Sequence, residues 1–243
     1  MKKLSVILVL LCLCSCKEFR NQIILEDDFE TYRVGQTTFF PWETSGNGTI
    51  EIDSLKHVSG NKSLKFVSRE GYDNRAFLSF SSEKLMKLDE YYGSLKMFVE
   101  EASPNGVHWT MIQTSGKTAQ GFHAEVRYGG QHHKCLMANY DTNPIKSDCW
   151  DHTKVKIPEN EWFVVNWYVN RKTNNMRLWI NKELVHDLKE HQSFDKGCLE
   201  NGNNGEWSFP VFEKVTLGWV DYQTGGGNRK VWIDDVTLSK EKL

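Results

Sequence analysis

Charge of one sign is missing from this sequence: 243 residues carry 30 Lys and Arg against 32 Asp and Glu, a formal net charge of −2 with no long block of either sign. A chain that neutralises phosphates needs a basic face, so a nucleic-acid partner is not expected. Proline is scarce, at five residues, and there is neither an internal repeat nor a low-complexity linker. The collagenous and disordered classes are excluded with them. Apolar runs are short as well. The longest, Leu4 to Leu13, is too short to span a bilayer as a helix.

That run has a different meaning at its position. Met1 to Cys16 reads MKKLSVILVLLCLCSC, two lysines followed by an apolar stretch and a small residue before a cysteine, the layout of an export signal. Leu13-Cys14-Ser15-Cys16 resembles a bacterial lipobox, which implies lipidation at Cys16 and a chain tethered by acyl groups to the bacterial cell envelope, at the outer membrane, facing the periplasm or the surface. The expected organisation is a signal peptide over 1–16, a short tether over 17–26 and one domain over 27–243. Cleavage would leave 28 basic against 32 acidic residues and a charge of −4. Of the six cysteines, Cys135, Cys149 and Cys198 then remain, with spacings that match no zinc pattern. An odd number in an oxidising compartment suggests one bridge and one leftover thiol. The expected pair is Cys149 with Cys198, which flank the central part of the chain, leaving Cys135 free.

Aromatic residues are abundant: nine Trp, eight Tyr and thirteen Phe. They sit in short alternating segments such as Arg75 to Phe80, Leu95 to Val99, Phe122 to Tyr128, Trp162 to Val169 and Val231 to Leu238. Turn residues separate these segments, as at Ser45-Gly46-Asn47-Gly48 and Pro104-Asn105-Gly106. Many short strands at even spacing predict an all-β sandwich. Only Glu83 to Tyr92 has a composition open to a short helix. Trp109, Trp162, Trp167, Trp179 and Trp232 lie in strongly apolar strands and are expected in the core.

Alternate side chains of a strand share a face, so His123, Glu125 and Arg127 should point the same way, whereas His108 and Gln113 should fall on opposite faces. A strand face bearing Arg, His, Gln, Tyr and Trp suits a saccharide groove, with flat rings for sugar faces and planar donors for hydroxyls and carboxylates. The same Arg and Glu also fit a solvated cross-strand pair.

Longer strings narrow the reading. His108 to Gln113 (HWTMIQ), Arg127 to Gln131 (RYGGQ), Leu136 to Asp141 (LMANYD), Ser147 to Trp150 (SDCW) and Trp232 to Val236 (WIDDV) resemble, in order, the core domain of the cellulose-induced secreted protein of cellulolytic fungi and its bacterial relatives. The resemblance implies a β-jelly roll, a concanavalin-like sandwich of two antiparallel sheets similar to glucuronan and alginate lyases, with a structural Ca2+. The expected partner is a polysaccharide, an acidic one, engaged by a monomeric chain that meets a membrane only through its lipid.

A uronate lyase removes the C5 proton beside the sugar carboxylate and expels the glycosidic oxygen from C4, which requires donors aimed at that carboxylate. Arg127, Gln131 and Gln113 are the expected neutralisers, His108 and Tyr222 the proton-transfer pair, and Glu125 or Asp141 the groups that orient them. Tyr140 and Trp219 are expected beside them as sugar contacts, with His123 and His132 as further choices. The chain lacks the R-[ST]-E-L and Q-[IV]-H strings of the best-known alginate lyases. Two other readings stay open: non-catalytic glycan capture in the same groove, and a glycoside hydrolase using Glu125 with Asp141 or Asp221. For Ca2+ the resemblance points to Glu30 and Asp235, with Ser59 and Asn61 contributing hard oxygen ligands.

Overall fold

The structure, a computed structural model, describes residues 22–145, 147–189 and 207–242. The expected signal peptide over 1–16, lipidated Cys16, the start of the tether and Cys198 lie outside the described residues, and the Cys149–Cys198 pairing with them. Cys149 itself is buried, and Cys135 is a free thiol. No helix among the described residues is long and apolar enough to cross a membrane.

Fifteen strands form among the described residues. In chain order they are β1 (Ile23–Asp27), β2 (Glu43–Ser45), β3 (Thr49–Asp53), β4 (Ser63–Ser68), β5 (Ala76–Phe80), β6 (Glu90–Val99), β7 (Trp109–Lys117), β8 (His123–Gly130), β9 (Cys135–Asn143), β10 (Asp148–Lys156), β11 (Trp162–Asn170), β12 (Asn175–Ile180), β13 (Glu183–Lys189), β14 (Lys214–Asp221) and β15 (Arg229–Ser239). They make two antiparallel sheets, as the alternation predicts. The first runs β13-β12-β11-β6-β15-β4-β3 with β1 also paired to β15, and the second runs β10-β9-β8-β7-β14-β5-β2. Neighbours far apart in sequence, such as β14 between β7 and β5, give the crossed connectivity of a jelly roll.

Two boundaries differ from expectation. Strand β1 takes up Ile23 to Glu26, the end of the expected tether, because Leu25 buries against the core while the backbone pairs with β15. The helix reaches only from Glu83 to Met86, where the Ser82 hydroxyl caps it by accepting from the Leu85 amide at 3.1 Å. Glu90, Tyr91 and Tyr92 instead open β6, since Tyr91 is wholly buried and β6 pairs with both β11 and β15. Tertiary pairing outweighs a local helical composition.

The core lies between the sheets and is aromatic. Trp109 and Trp219 stack at 4.4 Å with their planes 10° apart, both fully buried. Tyr128 on β8 lies between the sheets and donates to the carbonyls of Tyr168 (3.1 Å) and Arg177 (2.9 Å) in the first sheet. Burial pushes its phenol well above the usual value. Trp167 fills the space over Gly93 so closely that a Cβ there would overlap its indole, so this position requires glycine. Trp232 is buried as expected, whereas Trp162 and Trp179 differ from the core expectation. Trp162 and Trp232 pack edge-on against Phe98, with the Lys56 ammonium 3.6 Å over the Phe98 ring, and Trp162 and Trp179 remain half-buried.

Trp219→Ala removes one face of the buried stack and leaves a cavity. The expected loss is about 3–5 kcal/mol, read as a lower urea midpoint at unchanged slope. A loss near zero would show that the stack does not support the sandwich.

Candidate functional site

The site is built from period-two alternation on the second sheet. On β8 the inward Ala124, Val126 and Tyr128 leave His123, Glu125 and Arg127 on the outer face, as expected. The register then selects their neighbours. Arg127 lies opposite Gln113 on β7 and Asn139 on β9, and Glu125 lies opposite Asp141. Beyond β9, Asp141 faces Asp148, Asn139 faces Trp150, and Met137 faces His152 on β10. One transverse row therefore reads Trp150, Asn139, Arg127, Gln113.

His108 and Gln113, expected on opposite faces, both serve this outer face. The β7–β8 register shifts between Thr110 and Ile112, and the extra residue of a bulge reverses the alternation. Trp109 thus points into the core while Thr110 reaches the Tyr222 hydroxyl at 3.2 Å.

Arg127 is the hub. Its Nε donates to Gln113 Oε1 (3.3 Å), and its Nη1 donates to Asn139 Oδ1 (2.8 Å) and Asp141 Oδ2 (2.5 Å). Its Nη2 pairs with Glu125. Gln113 Nε2 and His123 Nε2 hold the other Glu125 oxygen, at 2.7 and 3.2 Å. Burial opposes the guanidinium charge, but Tyr222 and Asp141 more than offset it and hold Arg127 above its ordinary range. Most of its donors are committed to the protein, so Arg127 is held as a fixed, largely buried charge on this face.

Beside this hub a cavity of about 340 Å³ is lined by His108, Arg127, Gln131, Met137, Asn139, Asp141, Asp148, Trp150 and Tyr222. His108 stacks on Tyr222 with centroids 4.6 Å apart, and the guanidinium carbon lies 5.9 Å from the Tyr222 ring. Burial, with the charge of Arg127 and then His152, pushes His108 down to about 3, so its imidazole is neutral at any ordinary pH. Gln131 Oε1 meets His152 Nε2 at 3.3 Å, and the His132 ring lies 5.3 Å from that of His152. Asp148 lies above the usual carboxylate range: burial raises it, the bond from Asn139 (3.2 Å) opposes, and the Asp141 charge raises it further.

The structure thus brings His108, Arg127, Gln131, Asp141 and Tyr222 together, with Gln113 and Glu125 holding Arg127. It does not bring Tyr140 and Trp219 there. Both are fully buried, Tyr140 against Trp207 and Phe209 and Trp219 on Trp109, with indole Nε1 donating to Asp221 at 2.9 Å. Alternation carries the reason: Tyr140 has the opposite parity to Asp141, and Trp219 to Tyr222. The same rule points to residues that the sequence reading did not single out, since Met137 and Asn139 share parity with Asp141. Trp150, Asp148 and His152 required the β9–β10 register. The carboxylates named for the hydrolase reading are engaged within the protein. Asp221 is buried with Ser103 and Arg229, and Glu125 and Asp141 both grip the Arg127 guanidinium.

The residues named for calcium do not form an oxygen cage. Glu30 Oε1 accepts the amides of Asn61 (2.9 Å) and Lys62 (2.8 Å), and Asp235 pairs with Lys96 Nζ at 2.6 Å and accepts from Ser59 Oγ at 2.6 Å. No group of three or more His, Cys, Asp or Glu converges on a metal position among the described residues.

Asp148 gives a pH test. Its folded pKa is raised, so the folded state binds the extra proton between that raised value and about 3.8. Ionised Asp148 therefore costs stability above this window, and the cost disappears as pH falls through it. Asp148→Asn is expected to be more stable than wild type at pH 7, with the gain lost by pH 3.8. Urea unfolding at both pH values checks this, and an equal gain at both would contradict it.

Comparison with known proteins adds the family. The family model described as the Cip1-like core domain, of the polysaccharide-lyase-like group, matches residues 28–241. Among solved structures, the chain is similar to cellulose-induced protein Cip1 at 20% identity and TM-score 0.67, over 90% of this chain and 98% of that one. It is similar to an endo-β-1,4-glucuronan lyase from the fungus Trichoderma reesei at 14% identity and TM-score 0.62, over 90% and 96%. It also matches a botulinum neurotoxin serotype D/C binding domain at 16% identity and TM-score 0.57, over 92% of this chain and 50% of that one. Curated proteins yield no match. With the family model spanning nearly all of the described sandwich, the chain belongs to the Cip1-like core-domain family of polysaccharide-lyase-like proteins.

Proposed function

We propose that this chain binds an acidic, uronate-containing polysaccharide across the outer face of the second sheet and cleaves it by β-elimination, as a monomeric lipoprotein of the bacterial cell envelope. The observation that carries this reading is the His108–Tyr222 stack beside the Arg127 charge in one cavity. The family and the glucuronan lyase neighbour agree with it, as does Trp150, a flat ring in the lining that suits a sugar face.

In the proposed reaction the C5 proton leaves to a base, and the electron pair forms the C4–C5 double bond. The C4–O bond breaks, and the departing oxygen receives a proton. His108 is a weak base, since its acid form is populated only near pH 3. It therefore acts as a neutral ring that stacks on Tyr222 and sets it, and the Tyr222 phenol oxygen takes the C5 proton and passes it to the departing oxygen. Thr110 fixes the phenol oxygen, and Arg127 stands beside the negative charge that develops on the sugar.

Incubation with glucuronan and with alginate, followed by ultraviolet absorbance of the unsaturated product, tests the chemistry. Tyr222→Phe is expected to lower turnover by about 10²–10⁴-fold while glycan retardation in an affinity gel is kept. Trp150→Ala is expected to weaken retardation by about 0.5–1.5 kcal/mol. The committed donors of Arg127 favour a second reading, glycan capture without cleavage. Retardation with no product from any uronan would select that reading and overturn the lyase.

A further inference from the structure

The segment that carries the chain from the first sheet to the second is closed by a network that includes an ammonium group. Strand β1 ends at Asp27, whose Oδ1 accepts the Phe29 amide (2.9 Å) and whose Oδ2 accepts the Tyr32 hydroxyl (3.0 Å) and the Trp42 indole N–H (2.7 Å). Phe29 turns the chain at φ 60° with its ring fully buried. The carbonyls of Glu30 and Tyr32 are left pointing at one place, and Lys62 Nζ occupies it, at 2.6 and 2.8 Å. The partner loop is stitched to the same spot. The Glu30 carboxylate accepts two amides of that loop, and Gly60 passes so close that a Cβ would overlap the carboxylate. On the other side, Asp234 Oδ2 accepts the amides of Val58 (3.1 Å) and Ser59 (3.2 Å), and Lys96 neutralises Asp235.

We infer that the Lys62 ammonium takes the place that a calcium ion was expected to fill, so this sandwich closes its inter-sheet crossover with a cation of its own and needs no divalent metal. Calcium requires six to eight oxygens. Here the two convergent carbonyls are taken by an ammonium, one first-choice carboxylate caps backbone amides, and the other is paired with a second lysine. A divalent ion entering between them would also stand beside the Lys62 charge and be repelled by it. The ammonium on its four-carbon stem supplies one positive charge and three donors and is covalently held, so it is not lost to dilution or chelation.

Thermal unfolding of the purified chain tests this without reference to activity. Wild type is expected to show the same Tm in chelator and in calcium, and titration calorimetry to show no stoichiometric calcium binding. Lys62→Met strands two carbonyls, and a fall in Tm of about 3–10 °C is expected, unrelieved by calcium. Lys62→Asn clears the ammonium and adds an amide oxygen. It is expected to recover part of that loss when calcium is added at about 1 mM, the affinity range of extracellular calcium modules. Stoichiometric calcium binding by wild type, a wild-type Tm that falls in chelator, an unchanged Tm for Lys62→Met, or no calcium response in Lys62→Asn would each overturn the substitution. The wild-type arms stand even if a variant fails to fold.

Discussion

A guanidinium buried on a sheet surface must be surrounded by acceptors, and that requirement organises the whole outer face of the second sheet. Arg127 draws Gln113 from β7, Asn139 and Asp141 from β9, and Glu125 from its own strand. Leaving such a charge unpaired would cost several kcal/mol, so the four partners are fixed as firmly as the arginine. The cavity beside it inherits this rigidity. His108, Tyr222 and Trp150 line a space with one positive charge at its edge and the Asp141 carboxylate already paired with it.

The hub holds its position because the strand beneath it is anchored from the opposite side. One residue along β8 from Arg127, Tyr128 points into the sandwich and bonds to carbonyls of two strands in the first sheet. Consecutive residues of one strand thus serve the site and the core. A displacement of β8 by one residue would exchange their faces, placing a charge in the aromatic interior and a phenol in the groove. The stacked tryptophans and Trp167 over Gly93 leave no slack for that exchange. The crossover network at Asp27, Glu30 and Lys62 ties β1 and the β3–β4 loop where the sheets exchange chain.

Strand content and family strings were legible in the sequence because each is a local pattern. Period two identifies strands, and it correctly grouped His123, Glu125 and Arg127. It would also have separated Tyr140 from Asp141 and Trp219 from Tyr222 had it been followed through those segments. An aromatic side chain in a functional string reads the same whether it faces a sugar or a core, and only its parity distinguishes the two.

What the sequence by itself determined was the class of fold, the family, and the strands that carry the polar face, since alternation and motif order survive any arrangement of the strands in space. The tertiary structure alone decided which face each residue takes and which residues meet. The bulge between Thr110 and Ile112 reverses the parity that a linear reading assigns to His108. The β9–β10 register delivers Trp150 and Asp148 to the cavity, and Lys62 reaches the carbonyls of Tyr32 and Glu30, 30 and 32 residues earlier in the chain. Register and long-range approach depend on packing energies summed over the whole sandwich, and no window of sequence contains them.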